Sequence, residues 1–321
     1  MSTSLPVKQW RIVVPVHNAL KDVAILLKHL ESLNPELLAA LILVDDGSTD
    51  GTAAFVAGQY PQVHLVHGDG NLWWGGGMKL GMETALDHGA EIIFWLNHDC
   101  FPVPGAFEKL AEVLEDPSVG CVSGWCRIKG YPDYPVNPGF ASFRPLHITG
   151  SSELVRADGV NGNFVGFRAD AMRRVGLPDA ERFPHYGDGV YTIRFTRAGY
   201  LAVVCTTARA DLEYELERRL SPFWRAAIQR GGPVQWLSYY YCSPRSLYNI
   251  ANRYKQTQWL RGPWHAPLFG SLLVVSIGIQ VACGLGFRSV VGVGLTRQMC
   301  IKAHMKRWPL KKLQGEIGRL N

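Results

Sequence analysis

The 321 residues contain no internal repeat, no low-complexity run and, among seven cysteines, no C-x-x-C pair. The first two absences exclude solenoid arrays and long disordered linkers. An odd thiol count without paired spacing fits free thiols in a reducing compartment better than a disulfide framework. The G-x-G-x-x-G that a dinucleotide-dependent oxidoreductase needs directly after its first strand is also missing, because "HNALKD" (His17 to Asp22) holds that place. The N-terminus has only a short apolar run, "IVVPV", broken by Pro15, which is no secretory signal, so the catalytic part is read as cytoplasmic. Charge is sparse, 19% of residues with a net +6, and no nucleic-acid partner is expected. Acid is scarcest at the end: from Arg288 onward Glu316 stands against eight Lys or Arg, a tail suited to an acidic surface.

What is present is ordinary globular material, 47% hydrophobic, long enough for one large domain and an appendage. "RIVVPV" (Arg11 to Val16) reads as a strand, after which Val23, Leu26, Leu27, Leu30 and Leu33 fall on one helix face. "LILV" (Leu41 to Val44), "VHLVH" (Val63 to His67) and "IIFWL" (Ile92 to Leu96) are further strands separated by helical stretches. Such alternation predicts an α/β fold with a doubly wound, mostly parallel sheet and helices on both faces.

Three strands run into polar or Gly-rich segments: His17-Asn18, Asp45-Asp46-Gly47-Ser48 and Asn97-His98-Asp99. In open α/β sheets the ligand crevice lies outside the carboxyl ends of the strands, so Asp45, Asp46 and Asp99 are expected around one crevice. Three carboxylates together repel unless something positive or hydrogen-bonding fills the space. A nucleotide with a divalent metal does both. Taken singly, Asp99 reads first as the cap of a helix starting near Pro104.

"VPVHN", "LVDDGSTDGT", "GNLWWGGGMKLGM", "LNHDC", "NGNFVGFR" and "HYGDGVYTIRFTRAGY", in that order and spacing, resemble the family 2 inverting glycosyltransferases of GT-A fold. Within that family they are most similar to the rhamnosyltransferase and galactofuranosyltransferase-like branch of bacterial surface polysaccharide assembly. The resemblance covers roughly residues 10 to 215, which sets a catalytic domain at 1–215 and a C-terminal helical region at 216–321. It implies that Pro15, His17 and Asn18 line the nucleoside pocket, that Asp45 and Asp46 hold base and ribose, and that Asn71 and a Gly75-Gly76-Gly77 loop let backbone approach the nucleotide sugar. Asn97-His98-Asp99 stands where the family has its D-x-D element, so Asp99 alone brings charge to Mn²⁺ or Mg²⁺ while the diphosphate supplies other ligands.

An inverting transfer needs a base opposite the departing diphosphate. By the same resemblance Asp188 in "HYGDG" is that base; read alone it is equally an N-terminal helix cap. Trp73 and Trp74 either stack on a sugar or base, or divide between packing into the core and shielding the loop. His185 either orients the acceptor or packs. Asn163 and Tyr186, inside two of the matching segments, join these three as candidate contacts to acceptor or sugar. Two positions depart from the family: Val190 stands where relatives often carry a second acid, and the strand "LAVVC" continues into "TTARADLEYE" without a metal-binding His, leaving Asp211 as a possible substitute. The expected activity is transfer of a sugar, rhamnose or galactofuranose, from a nucleotide diphosphate to a lipid-linked or polysaccharide acceptor. The alternative is a non-catalytic nucleotide-sugar-binding or scaffolding protein of the same fold, distinguished by its failure to hydrolyse a nucleotide sugar slowly when no acceptor is present.

The last third lies outside the motifs. Ala266 to Phe287 has no charge, and 22 helical residues would extend roughly 33 Å, enough to span a bilayer. Basic residues flank it on both sides, Arg245, Arg253, Lys255 and Arg261 before and Arg288 to Arg319 after, whereas a single span favours one basic side. The expectation is attachment to the inner leaflet on the cytoplasmic face, by an apolar helix or a helical hairpin turning at Gly284-Leu285-Gly286. A true span and a buried core or oligomer helix are the other readings.

Overall fold

A computed structural model describes residues 9–136, 138–142, 144–146, 148, 152–185, 187–213, 220–243, 246, 248–305 and 309–319. The chain forms two compact units, Met1–Glu213 and Tyr214–Asn321.

In the first unit β1 (Trp10–Val16), β2 (Leu41–Asp45), β3 (His64–His67) and β4 (Ile92–Leu96) pair in parallel in the order β3-β2-β1-β4. Between them run α1 (Leu20–Leu33), the short α2 (Glu36–Ala39), α3 (Thr52–Gln59) and α4 (Trp73–Asp87). The chain steps outward from β1 to β3 and then returns across β1 to β4. Crossovers are right-handed, so the return places α4 on the opposite face from α1 and α3, and the direction switches between β1 and β4. A ligand crevice is expected at that switch point, outside the strands' carboxyl ends.

Beyond β4 the sheet turns mixed. After β5 (Cys100–Pro102) and α5 (Ala106–Val113) come β6 (Val119–Ile128) and β7 (Tyr131–Pro135), then the short β8 (Gly139–Ala141), β9 (Arg144–Pro145), β10 (Leu154–Ala157) and β11 (Gly159–Val160). β12 (Phe164–Arg168) enters antiparallel between β4 and β6, and after α6 (Ala169–Val175) and α7 (Asp188–Arg197) the long β13 (Leu201–Leu212) pairs parallel to β6. The parallel reading therefore holds for the first four strands. β4 is buried along its whole length, which explains why its five apolar residues run unbroken. Its Trp95 ring stacks on Tyr191 of α7 at 5.3 Å. That contact, with Phe167 and Phe195 packed around it, fixes α7 against the sheet.

The described thiols form no disulfide. Burial raises the Cys121 and Cys100 thiols well above the ordinary range, so both are inert apolar filler.

The second unit is helical: α8 (Pro222–Ile228), α9 (Pro233–Cys242), α10 (Ile250–Arg261), α11 (His265–Val291), α12 (Val293–His304) and α13 (Leu310–Arg319). Ser221 and Asn249 cap α8 and α10 by accepting from Trp224 and Asn252 N–H. One side of α11 is buried, with Ile277 and Val281 packed against Ala226, Trp236 and Tyr240. At Gly284 the packing on α8 is closest, since a Cβ there would lie 2.4 Å from the Phe223 carbonyl. The expected hairpin at Gly284-Leu285-Gly286 is overturned by this contact: the helix continues straight through it, and the chain turns only at Gly292, whose φ of +80° ends the helix. The other side of α11 is bare, with Leu268, Leu272, Val275 and Ile279 each more than half exposed.

Candidate functional site

At the end of β1, Asn18 takes the left-handed backbone that asparagine tolerates, φ +49°. This turns its polar groups toward the loop after β2. Its N–H donates to Ser48 Oγ at 2.8 Å, and its Oδ1 accepts from Thr49 N–H at 2.7 Å. His17, whose ring is exposed, donates from Nδ1 to the Asp46 carbonyl at 2.6 Å, and its Nε2 accepts from Asn18 Nδ2 at 3.0 Å. Ser48 donates its hydroxyl to the buried Asp45 carboxylate. Asp50 ties the same two loops, accepting from Thr52 and from the first N–H of α1, Leu20, at 2.9 Å. The Thr52 hydroxyl first, and the Leu20 N–H second, hold its carboxyl below the usual range.

Asp46 was expected to face base and ribose, but its carboxylate is already engaged. Oδ1 accepts from Gly70 and Leu72 N–H at 2.8 and 3.2 Å, and Oδ2 from Trp73 N–H at 3.0 Å. Three backbone donors satisfy a buried charge and organise the start of α4. They also hold Trp73 at φ +56°, a conformation costly for a bulky residue.

The glycines are a second correction. Gly75, Gly76 and Gly77 are no loop: they are buried in the first turns of α4. A Cβ on Gly77 would lie 2.8 Å from Pro15 Cβ, and one on Gly75 would lie 2.7 Å from the Phe183 carbonyl. Small residues here let α4 lie on β1 and let Gly75 N–H reach the Pro184 carbonyl at 2.9 Å. Pro15 is accordingly buried beneath α4, while Asn71 stays exposed on the loop before it.

Asp99 does not cap a helix, because β5 follows it and α5 begins only after Gly105. It lies half-buried beyond the carboxyl end of β4, with His98 beside it. Among the described residues no three His, Cys, Asp or Glu side chains, Asp45, Asp46 and Asp99 included, converge as a metal-binding group. Asp211 accepts from Arg127 Nε at 2.8 Å and is neutralised there. The donor set thus fits a hard cation only as a shared one, with Asp99 as a protein ligand and oxygens of a diphosphate completing the shell.

Asp188 is the first residue of α7, yet it makes no cap bond to its own helix. Its Oδ2 accepts instead from Gly162 N–H at 2.8 Å. A Cβ on Gly162 would lie 2.9 Å from Asp188 Cβ and 3.0 Å from the Trp74 ring, so only glycine lets the three meet. Trp74 donates from Nε1 to Asn97 Oδ1 at 3.0 Å, and Asn97 donates from Nδ2 to Asn163 Oδ1 at 3.2 Å. One continuous set of contacts therefore runs from Asp188 through Gly162 and Trp74 to Asn97, two residues before Asp99. Trp73 points the other way, 42% exposed, with its ring 4.6 Å from His185. Tyr186 lies outside the described residues, and Val190 is buried.

Ser48 and Gly162 were not singled out as site residues from sequence, although both sit inside the quoted motifs. Their signal was adjacency: a hydroxyl and a glycine beside residues already chosen.

The family model described as Glycosyl transferase family 2 matches residues 11–176. Among solved structures the chain is similar to a mannosyltransferase, PcManGT from Pyrobaculum calidifontis, in complex with GDP-Man and Mn²⁺: 17% identity, TM-score 0.52, covering 97% of this chain and 84% of that one. It is also similar to GalNAc-T7 with UDP, GalNAc and Mn²⁺: 12% identity, TM-score 0.54, covering 64% of this chain and 44% of that one. At these identities the likeness concerns the fold. No curated protein matches the chain.

Proposed function

The chain belongs to glycosyl transferase family 2, and from that premise we propose an inverting, divalent-metal-assisted transfer of a sugar from a nucleotide diphosphate to a lipid-linked or polysaccharide acceptor. The observation that carries the reading is the junction of Asp188, Gly162, Trp74 and Asn97, which joins a base to the loop that bears Asp99. The loops after β1 and β2, with exposed His17 and Asn18 and the Asp45–Ser48 pair, hold the nucleoside. Gly162 N–H fixes Asp188 through Oδ2 and orients Oδ1 to take the acceptor's proton. Trp73, exposed and backed by the half-buried His185 ring, presents an aromatic face on which a sugar ring can stack. Asp99 would hold Mn²⁺ or Mg²⁺ together with the donor's diphosphate, and the ion would supply positive charge for the departing group. Rhamnose or galactofuranose is the proposed sugar, and cell-surface glycan synthesis the setting.

α11 is the one helix among the described residues long and apolar enough to cross a membrane. Its buried face against α8 and α9 and its bare opposite face support lateral attachment to the cytoplasmic leaflet. The experiment is a thermal-shift screen of nucleotide sugars with and without Mn²⁺. A donor giving several degrees of metal-dependent stabilisation is expected; stabilisation by no nucleotide sugar overturns the reading.

A further inference from the structure

We infer that the helical unit carries a second binding site, a cavity lined by Arg230, Arg288 and Arg297 that takes the phosphate group of a membrane lipid. The inference rests on the membrane reading of α11 and adds to it a specific headgroup contact. The cavity has a volume of about 230 Å³, and Ile228 and Val293 complete its lining. Its assembly follows from the turn at Gly292. Ending α11 there and starting α12 at once brings Arg288, in the last turn of one helix, and Arg297, in the second turn of the next, to the same hollow beside the end of α8.

Arg288 also donates to the Gln229 carbonyl, which anchors its guanidinium at the rim. Three guanidiniums line one hollow and give it positive charge, and an oxyanion there accepts charge-assisted bonds from their planar, forked donors. The unpaired N–H groups of the first turn of α12 add donors of the same sign.

The surroundings say which anion. Val290 and Leu295, close in sequence to Arg288 and Arg297, are exposed, and Val290 is 88% so. The bare apolar face of α11 leads toward the same end. A soluble anion has no use for an apolar rim, whereas a lipid uses both parts, its phosphate in the cavity and its chains along the helix.

The test is flotation of the full-length protein with phosphatidylcholine vesicles, with and without phosphatidic acid. Wild type is expected to bind both, and the phosphatidic acid vesicles more tightly. Replacing Arg230→Gln with Arg297→Gln is expected to remove the added affinity, a loss of about thirtyfold for two interfacial charges. Arg230→Lys with Arg297→Lys, which keeps the charge, should lose less. A control pair outside the cavity, Lys302→Gln with Lys311→Gln, should lose clearly less than the arginine pair. Equal losses in the two glutamine pairs overturn the site in favour of diffuse attraction, and equal binding to both vesicle types overturns it while sparing the membrane reading. Binding to neither vesicle overturns both. Release of bound protein by inorganic phosphate overturns the lipid assignment.

Discussion

β4 and the 266–287 stretch of α11 are both charge-free apolar runs, and they meet opposite fates. Every residue from Ile92 to Leu96 is buried between neighbouring strands and helices, whereas α11 buries one side and leaves Leu268, Leu272, Val275 and Ile279 bare. The difference shows what covers each. β4 is covered by its own chain, so the polar residues at its end are held to fixed partners and can do chemistry. Among the described residues one side of α11 is left exposed, and on the proposed reading the membrane covers it. If this division holds, changes at the end of β4 should alter transfer and leave membrane binding alone, and changes on the bare face of α11 should do the reverse.

The largest effect is expected at Asp99. On the proposed reading Asp99→Ala removes the charged ligand of the shared cation and should abolish transfer, while vesicle binding and melting temperature stay as in wild type. Transfer at near wild-type rate would remove Asp99 from the metal. Asp188→Asn comes next: donor binding by thermal shift should persist while turnover falls by about two to four orders of magnitude, the usual worth of a general base. Loss of donor affinity in proportion would make Asp188 a binding residue instead.

The two faces of α11 sharpen the comparison within one helix. Leu272→Ala on the bare face should leave melting unchanged and weaken vesicle partitioning by roughly tenfold or more, the worth of one buried leucine side chain. Ile277→Ala on the packed face, against Trp236 and Tyr240, should cost about 2–5 kcal/mol of stability. Equal melting loss at both positions would mean that α11 is an ordinary core helix. Deleting residues 266–321 is a poor substitute for these variants, because it uncovers Ala226, Trp236 and Tyr240 as well.

How much of this was legible in the sequence follows from the range of the forces involved. The first four strands could be read because β1, β2 and β4 are buried and their apolar runs are local. That Asp188 faces outward from its helix could not be, since an N-terminal Asp satisfies a cap and a base equally well until Gly162, 26 residues earlier, is seen to donate to it. The glycines misled for the same reason: "GGG" reads as a loop, and only the nearness of Pro15 and Phe183 shows that they allow packing instead. Asp46 likewise carries no local mark of the three N–H groups it collects from another loop.

The smallest predicted effect tests the join between the two halves of the candidate site. Trp74→Phe keeps an aromatic ring toward Trp95, whose ring lies 5.2 Å away. It removes the Nε1–H that holds Asn97 at 3.0 Å, together with the outer part of the indole that reaches Gly162. The loss of the hydrogen bond alone costs about 0.5–1.5 kcal/mol, which in a unit of this size lowers the melting temperature by roughly 2–4 °C per kcal/mol, and the lost ring volume adds to it. If Trp74 only fills space, that loss of stability is the whole effect. If it positions the Asn97-His98-Asp99 turn, donor affinity in the presence of Mn²⁺ should fall by several-fold while affinity without metal stays unchanged. A Trp74→Phe protein with full metal-dependent donor affinity would therefore return Trp74 to the core and leave Asn163 alone to hold Asn97 in place.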